Sequence, residues 1–368
     1  RGNRLNRRTV FAQIKALAAG LHALGVTYGD RVAVFLPACP EAVYAQFVNT
    51  HLGTIHMPLN PLLGEWELRE ILRHSQAKVI ITALNWYGLQ QAAVLARLKP
   101  DLPDLQAIVV VASETASKGN LPPGNGILTY AELLSRGRAY PKIKLKRTDS
   151  ALLSYTSGTT GQPKGVIHSY ARNWGVSMDS MLQRLKREAL QCLLLPYPPY
   201  HFAGMFGIAS ALLSGGKVIL MDRIDPTQLL AVIQAERVTQ IGAPPTIFRL
   251  LLAAAQRSTC DLSSVRRLTF SSEKLSPALA HSLYETFHCK LENFYGTTEA
   301  HLISWTDLGD WQSASDTVGR PLPGVAVRVV DSARQPLPVG KVGEFAVRSP
   351  HRMKGNYSDQ KRTNHGLD

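Results

Sequence analysis

Along the first 150 residues the apolar positions follow two alternating rhythms. Between Val10 and Gly25 they recur at helical spacing (Phe11, Ile14, Leu17, Ala18, Leu21, Leu24), and Gly25 supplies a stop. Gly29-Asp30 then turns into Arg31-Val32-Ala33-Val34-Phe35-Leu36, a run apolar on both sides, as a strand buried on both faces requires. A helix is predicted around Glu41 to Leu52. Lys78-Val79-Ile80-Ile81-Thr82 and Ala107-Ile108-Val109-Val110-Val111 repeat the strand pattern after helical segments. Strands alternating with helices predict α/β architecture, with mostly parallel sheets sandwiching helices in layered βαβ subdomains.

The stretch from Ser113 to Asn125 is rich in Ser, Gly and Pro and reads as a loop. Ala151-Leu152-Leu153-Ser154-Tyr155 is a strand that enters a Gly/Thr-rich loop. Lys217-Val218-Ile219-Leu220-Met221 and Arg267-Leu268-Thr269-Phe270 are further buried strands. From Thr317 the texture changes to short strands, Val325 to Val330 and Phe345-Ala346-Val347, so a small β-rich subdomain is predicted over 317–368, after subdomains over 1–150 and 151–316. Leu193 to Gly216 lacks Asp, Glu, Lys and Arg, but Pro196, Pro198 and Pro199 would break a helix there. The remaining apolar run, Gly204 to Leu213, is too short for ~30 Å of hydrocarbon. A buried helix after a strand and a loop is predicted, and no transmembrane segment.

Composition narrows the class. With 45% hydrophobic and 18% charged residues over 368 positions, the chain has the apolar surface that a disordered chain lacks. A count of 41 Lys+Arg against 27 Asp+Glu gives a formal charge of +14, which points to anionic partners without choosing among them. One cluster stands out: Arg136, Arg138, Lys142, Lys144, Lys146 and Arg147. Its Lys142-Ile143-Lys144-Leu145-Lys146 alternation reads as a strand with one wet face. No aromatic platform or nucleic-acid motif accompanies it, so no nucleic-acid partner is expected. Cys39, Cys192, Cys260 and Cys289 lie far apart, without a CxxC pair, and read as reduced thiols of a cytoplasmic protein. The chain begins on Arg1 rather than Met and reads as trimmed, with no secretory-type apolar core behind its basic start.

The strongest local feature is Tyr155-Thr156-Ser157-Gly158-Thr159-Thr160-Gly161-Gln162-Pro163-Lys164-Gly165. Glycines permit close backbone approach, exposed N–H groups can form an anion-binding nest, four hydroxyls add donors, and Lys164 adds charge. A polyphosphate needs that combination. The pattern is not GxxxxGK[ST]: begun at Gly158, it would demand glycine where Pro163 stands, and Gly165 follows the lysine.

This loop resembles the signature loop of the adenylate-forming superfamily, which includes acyl-CoA synthetases. Asn293-Phe294-Tyr295-Gly296-Thr297-Thr298-Glu299 is similar to its YGxTE segment, and Pro199-Tyr200-His201-Phe202-Ala203-Gly204 resembles its aromatic-His gate segment. Gly319-Arg320-Pro321, Gly343-Glu344-Phe345 and Lys354-Gly355-Asn356-Tyr357 follow like its later markers, in the same order. The resemblance implies the large N-terminal domain of an AMP-forming acid–thiol ligase. In such enzymes a carboxylate attacks the α-phosphate of ATP, pyrophosphate leaves, and a thiol then displaces AMP from the acyl-adenylate. It further implies that Thr156, Ser157, Gly158, Thr159, Thr160, Gly161 and Lys164 cradle the β- and γ-phosphates. Glu299, with Thr156, would hold Mg2+, and Thr298 would donate to the α-phosphate. Asn293, Phe294, Tyr295, Gly296 and Thr297 would line the nucleotide, Tyr295 by stacking on adenine. Tyr200, His201, Phe202, Met205 and Gly242 would line the acyl site. Alone, His201 would read as a packed histidine, Glu299 as a surface acid and Tyr295 as a core aromatic.

Two departures qualify the resemblance. Where the family places a Gly-Gly turn near the adenine, this chain has Phe270-Ser271-Ser272-Glu273-Lys274-Leu275, so Ser272 would add a side chain beside the nucleotide or acyl group, and the resemblance implies that Ser272 and Glu273 contact the nucleotide. The family's ribose-binding Asp, hinge and C-terminal lid domain with its catalytic lysine would follow Asp368, so the chain as it stands is expected to bind ATP and adenylate slowly. The absence of acidic residues from Leu193 to Met221 favours a fatty or aryl acid over an amino acid, whose ammonium group would need a carboxylate. CoA or a carrier-protein thiol would accept the acyl group, and a homodimer stays open. The rival classes are a degenerate, non-catalytic nucleotide-binding homologue and an oxygenase acting on the same adenylate.

Overall fold

The structure is a computed structural model that describes residues 4–112, 121–156, 163–172, 192–307, 317–359 and 363–364. The chain packs as two compact units. The first is drawn from Arg1–Asn173, Pro198–His201 and Met353–Asp368, the second from Trp174–Tyr197 and Phe202–Arg352.

In the first unit, helix α1 (Arg7–Ala23) starts where the Asn6 side chain accepts the Thr9 N–H, and buries Val10, Ile14, Leu17, Ala18 and Leu21 on one stripe. Strands β1 (Arg31–Phe35), β2 (Ile55–Pro58), β3 (Val79–Ala83), β4 (Ala107–Val111) and β5 (Ile127–Thr129) run parallel, linked by α2 (Pro40–Leu52), α3 (Glu65–Ser75) and α4 (Gln91–Leu98), with α5 (Tyr130–Arg136) after β5. Alternate strand residues feed two cores. Val32, Val34, Val79, Ile81, Val109 and Val111 pack with α1, α2 and α5, whereas Ala33, Phe35, Ile80, Ile108 and Val110 pack with α3 and α4. Both faces are covered, which is why these strands read as unbroken apolar runs. The β6 (Ser150–Thr156)/β7 (Lys164–Ser169) hairpin extends the β2 edge, and β17 (Gly355–Asn356) closes it, giving the order β17-β7-β6-β2-β1-β3-β4-β5.

The second unit has the sheet order β14-β13-β12-β11-β10-β8-β9. Strands β8 (Cys192–Leu195), β9 (Lys217–Leu220), β10 (Gln240–Ala243), β11 (Arg267–Phe270) and β12 (Lys290–Thr297) are parallel, and β13 (His301–Asp307) and β14 (Arg320–Pro321) add antiparallel at one edge. Helix α6 (Phe202–Ser214) is the buried helix expected after the Pro-rich loop, and it packs on β8 and β9. Helices α7 (Pro226–Glu236), α8 (Pro245–Ala255) and α9 (Pro277–Phe287) each carry proline in the first turn, where its missing N–H costs nothing. They bury Leu230, Phe248 and Leu283 in one core with Leu194, Ile241, Leu268 and Leu291. The late β-rich region contains the antiparallel pair β15 (Ala326–Val330) and β16 (Glu344–Arg348).

One expected strand did not form. Residues 142–146 keep the predicted alternation, with Ile143 and Leu145 half-buried and the lysines exposed, but they have no ladder partner. Apolar periodicity records which side faces the protein; a strand also needs a ladder partner, and among the described residues 142–146 have none. All four cysteines are free thiols. Among the described residues no helix is long and apolar enough to cross a membrane.

Candidate active site

The first unit carries the mouth of the hydroxyl-rich loop. Thr156 and Lys164 form the last pair of the β6/β7 hairpin, with Tyr155 opposite Gly165. Both Thr156 and Lys164 are half-buried, at the point where the chain leaves the sheet. Ser157, Gly158, Thr159, Thr160 and Gly161 lie outside the described residues. The hairpin is braced by His74 and Tyr357. Tyr155 Oη is hydrogen-bonded to His74 Nδ1 at 2.7 Å, at the end of α3. Tyr357 donates its N–H to the Gly165 carbonyl at 2.7 Å and meets the His74 ring edge-on. A Cβ at position 165 would lie 3.1 Å from Tyr357 Cβ and 3.3 Å from Tyr155 Cζ, so glycine lets the two tyrosines close on this strand. Burial and the nearby Tyr357 hydroxyl hold the Tyr155 phenol above its usual range, so it stays protonated.

The gate segment also lies in this unit. The His201 N–H donates to the Pro198 carbonyl, which closes a turn; Tyr200 is half-buried and His201 is exposed. Pro199 and Tyr200 line a cavity of about 10 Å³, room for one water, together with Val34, Leu36, Ala42, Pro58 and His56. His56 is buried, its Nδ1 has no hydrogen-bond partner among the described residues, and desolvation pushes its pKa down to about 3. It is a neutral imidazole on β2 behind the gate.

In the second unit the strand register decides what meets. Ala243 pairs with Phe270, and Phe270 with Asn293, so the loops leaving β10, β11 and β12 share the carboxyl edge of a parallel sheet. Open α/β sheets bind ligands at that edge. The turn after β11 has Ser272 at φ +75, the left-handed region a glycine would occupy without strain. The backbone has kept the glycine geometry although the residue is serine. Tyr197 pins the turn: its hydroxyl lies 2.6 Å from Ser271 Oγ and 3.2 Å from the Ser271 carbonyl, and burial pushes its pKa up to about 12. Glu273 is engaged next door, where its carboxylate accepts from Thr246 N and Oγ1 at 3.2 and 2.7 Å at the start of α8. Gly242 is buried in β10, with Leu195 against it.

The Asn293–Glu299 segment is a β-hairpin. Asn293 and Phe294 are buried, Tyr295 is half-buried beside Phe345, and the chain bulges between Tyr295 and Gly296. A Cβ at Gly296 would lie 2.0 Å from the His301 carbonyl oxygen, so only glycine fits. Thr297 Oγ1 accepts the Ala300 N–H across the turn, Thr298 is half-buried, and Glu299 is exposed. Buried His301 stacks on Phe202 of α6, ring centroids 3.8 Å apart and planes 16° from parallel. Met205, one turn on, is buried in the unit. Two observations bear on a nucleotide and its cation. Among the described residues the Asn293 Oδ1 is buried without a partner just ahead of Tyr295, as a site for an exocyclic amine requires. Glu299 makes no ion pair among the described residues, where no group of three or more acidic, His or Cys side chains gathers. Magnesium held by one carboxylate and substrate phosphates suits such a donor set.

A family model described as AMP-binding enzyme matches residues 1–357. The chain belongs to the AMP-binding enzymes. It is similar to a medium-chain fatty-acid–CoA ligase of Escherichia coli, 29% identical over 96% of this chain and 61% of that protein. It is also similar to a feruloyl-CoA synthase of an Amycolatopsis species, 29% identical over 98% of this chain and 68% of that one. Among solved structures, ATP-bound MatB from Rhodopseudomonas palustris superposes with a TM-score of 0.83 at 23% identity, covering 99% of this chain and 69% of that one. The chain spans under two thirds of the length of the Escherichia coli ligase. Membership places the chain in the adenylate-forming superfamily that the motifs resemble.

For this AMP-binding enzyme the motif residues could be found in the sequence, but their braces could not. His74, His56, Tyr197 and His301 carry no motif spacing. Tyr197 sits among prolines 74 residues before its partner Ser271, and the stack of His301 on Phe202 depends on a helix set against a hairpin. The one sequence signal available was Ser272, a residue out of place in an otherwise ordered motif series.

Proposed function

We propose that the chain is the large domain of an AMP-forming ligase that activates a carboxylic acid and passes the acyl group to a thiol. The observation that carries the reading is the carboxyl edge of the second sheet. There a pinned left-handed turn at Ser271–Glu273 and a glycine-dependent hairpin at Asn293–Glu299 leave a buried amide oxygen and an exposed carboxylate at one edge.

A carboxylate oxygen of the acid attacks the α-phosphorus of ATP. The bond to the bridging oxygen breaks, pyrophosphate leaves, and acyl-adenylate remains. A thiolate then attacks the acyl carbon and AMP departs. Little covalent work falls to the protein, so its residues act by position and charge. Asn293 offers its amide to the adenine edge and Tyr295 a ring face. Thr298 donates to the α-phosphate, and Thr156 and Lys164 stand at the mouth of the loop for the terminal phosphates. Glu299 would hold Mg2+, which neutralises phosphate charge when bound. Tyr200, His201, Phe202, Met205 and Gly242 are the residues assigned to the acyl side.

The acid-free stretch from Leu193 to Met221 supports an apolar acid, fatty or aryl, and the named relatives act on fatty-acid and feruloyl groups. Free CoA is the acceptor this reading favours, with a carrier-protein thiol as the alternative. Acid-dependent ATP–pyrophosphate exchange over a panel of fatty, aryl and amino acids tests it, alongside the MgATP thermal shift. Exchange with apolar acids is expected, as is stabilisation of about 2.7 kcal/mol at a hundredfold excess over Kd. A protein that neither exchanges pyrophosphate nor is stabilised by MgATP would refute the proposal, and a clear preference for an amino acid would refute the substrate class.

A further inference from the structure

The basic cluster at 136–147 takes no part in the chemistry above, and the structure shows it to be organised. Beyond α5 the chain runs as an extended strap tacked to the first unit at intervals. Gly137 lies against Ala19 and Gly20 of α1. Tyr140 Oη is 2.8 Å from His51 Nδ1. Leu145 rests against Gly53, and the Lys146 N–H donates to Asp149 at 2.7 Å. Gly137, Tyr140 and Leu145 are half-buried. Arg136, Arg138, Lys142, Lys144, Lys146 and Arg147 are all exposed; Glu132 lies near enough to Arg136, and Asp149 to Lys146, to feel their charge, and no ion pair among the described residues engages Lys142 or Lys144. In extended backbone Lys142, Lys144 and Lys146 stand about 7 Å apart in a row. Like charges held this way repel one another, a cost that folding does not require.

The neighbouring helix continues the surface. Lys15 of α1 lies close enough to His51, the partner of Tyr140, to disfavour a charge there. On the same helix face, one turn away, Phe11 is 55% exposed between Arg7, Arg8 and Lys15, and Leu5 is 44% exposed ahead of them. Large apolar side chains left in water among cations on a helix, beside a rigid cationic row, match the chemistry of an anionic bilayer surface: phosphates for the cations and an acyl boundary for the ring. A purely acidic protein surface would leave Phe11 without a role.

We propose that the outer face of α1 and the 136–147 strap form a docking surface for anionic lipid bilayers, with Lys142, Lys144 and Lys146 meeting lipid phosphates and Phe11 entering the interface. The surface would hold the enzyme where apolar acids partition, although its binding does not depend on the proposed chemistry. Sedimentation with phosphatidylcholine vesicles, with and without phosphatidylglycerol, tests it. Binding is expected only with phosphatidylglycerol, and is expected to vanish as salt shortens the Debye length from about 10 to about 3 Å. Each cation near the surface contributes about fivefold to partitioning, so the triple variant K142E/K144E/K146E should bind at least about 100-fold more weakly. Phe11→Ser should weaken binding about tenfold. All four positions are exposed, so the MgATP shift measured on the same samples should be unchanged, which separates this test from that of the ligase reading. No binding of the wild type to phosphatidylglycerol vesicles, or equal binding by the triple variant, would overturn the proposal. Full retention by Phe11→Ser would assign the surface to an acidic protein instead.

Discussion

Replacing Gly296 by alanine perturbs the candidate site through backbone geometry alone. The new methyl would stand 2.0 Å from the His301 carbonyl oxygen and 2.9 Å from its carbon, whereas ordinary contact begins near 3.4 Å. One strand must therefore retreat by more than about 1 Å. The β13 side resists. His301 is buried and stacked on Phe202, pairs with Thr297 across the hairpin, and already holds φ +54. The β12 side carries Tyr295 and Thr297, so yielding there displaces the residues assigned to the nucleotide. Overpacking of this kind costs about 1–3 kcal/mol, and the stiff neighbour argues for the upper half. At 2–4 °C per kcal/mol for a unit of this size, Tm should drop by about 4–12 °C. A displacement of about 1 Å should lower pyrophosphate exchange about 10²-fold. Calorimetry and exchange on the same preparation read both numbers. A variant within about 0.5 kcal/mol of wild type and with undiminished exchange would show that the hairpin is soft, and the geometric argument would fail.

Other perturbations address the braces. Ser272 at φ +75 stores about 1–2 kcal/mol of left-handed strain, so Ser272→Gly should raise stability by about 1 kcal/mol while Ser272→Ala, which keeps the strain, should not; the reverse order in chemical denaturation would contradict this. Arg267 and Glu292 form a buried ion pair at 3.3 Å between β11 and β12, so Glu292→Ala, which removes a buried carboxylate partner of the guanidinium, should cost about 3 kcal/mol, and adding Arg267→Met should recover much of it. A loss under 1 kcal/mol in the single variant would argue against that coupling. His56 titrates near 6.5 when unfolded and about 3 when folded, so the unfolded chain binds the extra proton between those values. Stability should therefore fall as pH drops below 6.5, by up to about 1.4 kcal/mol per unit, and level off near 3. A His56→Met variant should lose that part of the slope, and an unchanged slope would place the titration elsewhere.

Much of this protein could be read locally. The continuous apolar runs of β1, β3 and β4 reported burial on both faces, and Pro196, Pro198 and Pro199 marked the loop ahead of the buried helix α6. The order of the short motifs identified the superfamily. In each case the physical cause lies within a few residues of the signal: hydrogen bonds to near neighbours, side-chain alternation, the fixed φ of proline. The chain alone therefore determined the α/β class, the positions of Lys164 and Glu299 within recognisable motifs, and the oddity of Ser272. It did not determine which elements would stand side by side. The 142–146 segment has strand periodicity but no ladder partner among the described residues, so it became a tacked strap. His56 carries no signal in the sequence, and only the fold made it a buried neutral imidazole on β2, lining one small cavity with Pro199 and Tyr200. Tyr197 reaches Ser271, and His301 reaches Phe202, through sheet register and helix placement. Such contacts are settled by the shared burial of residues far apart in the chain, which is why tertiary structure, and not local pattern, decided how the candidate site is held.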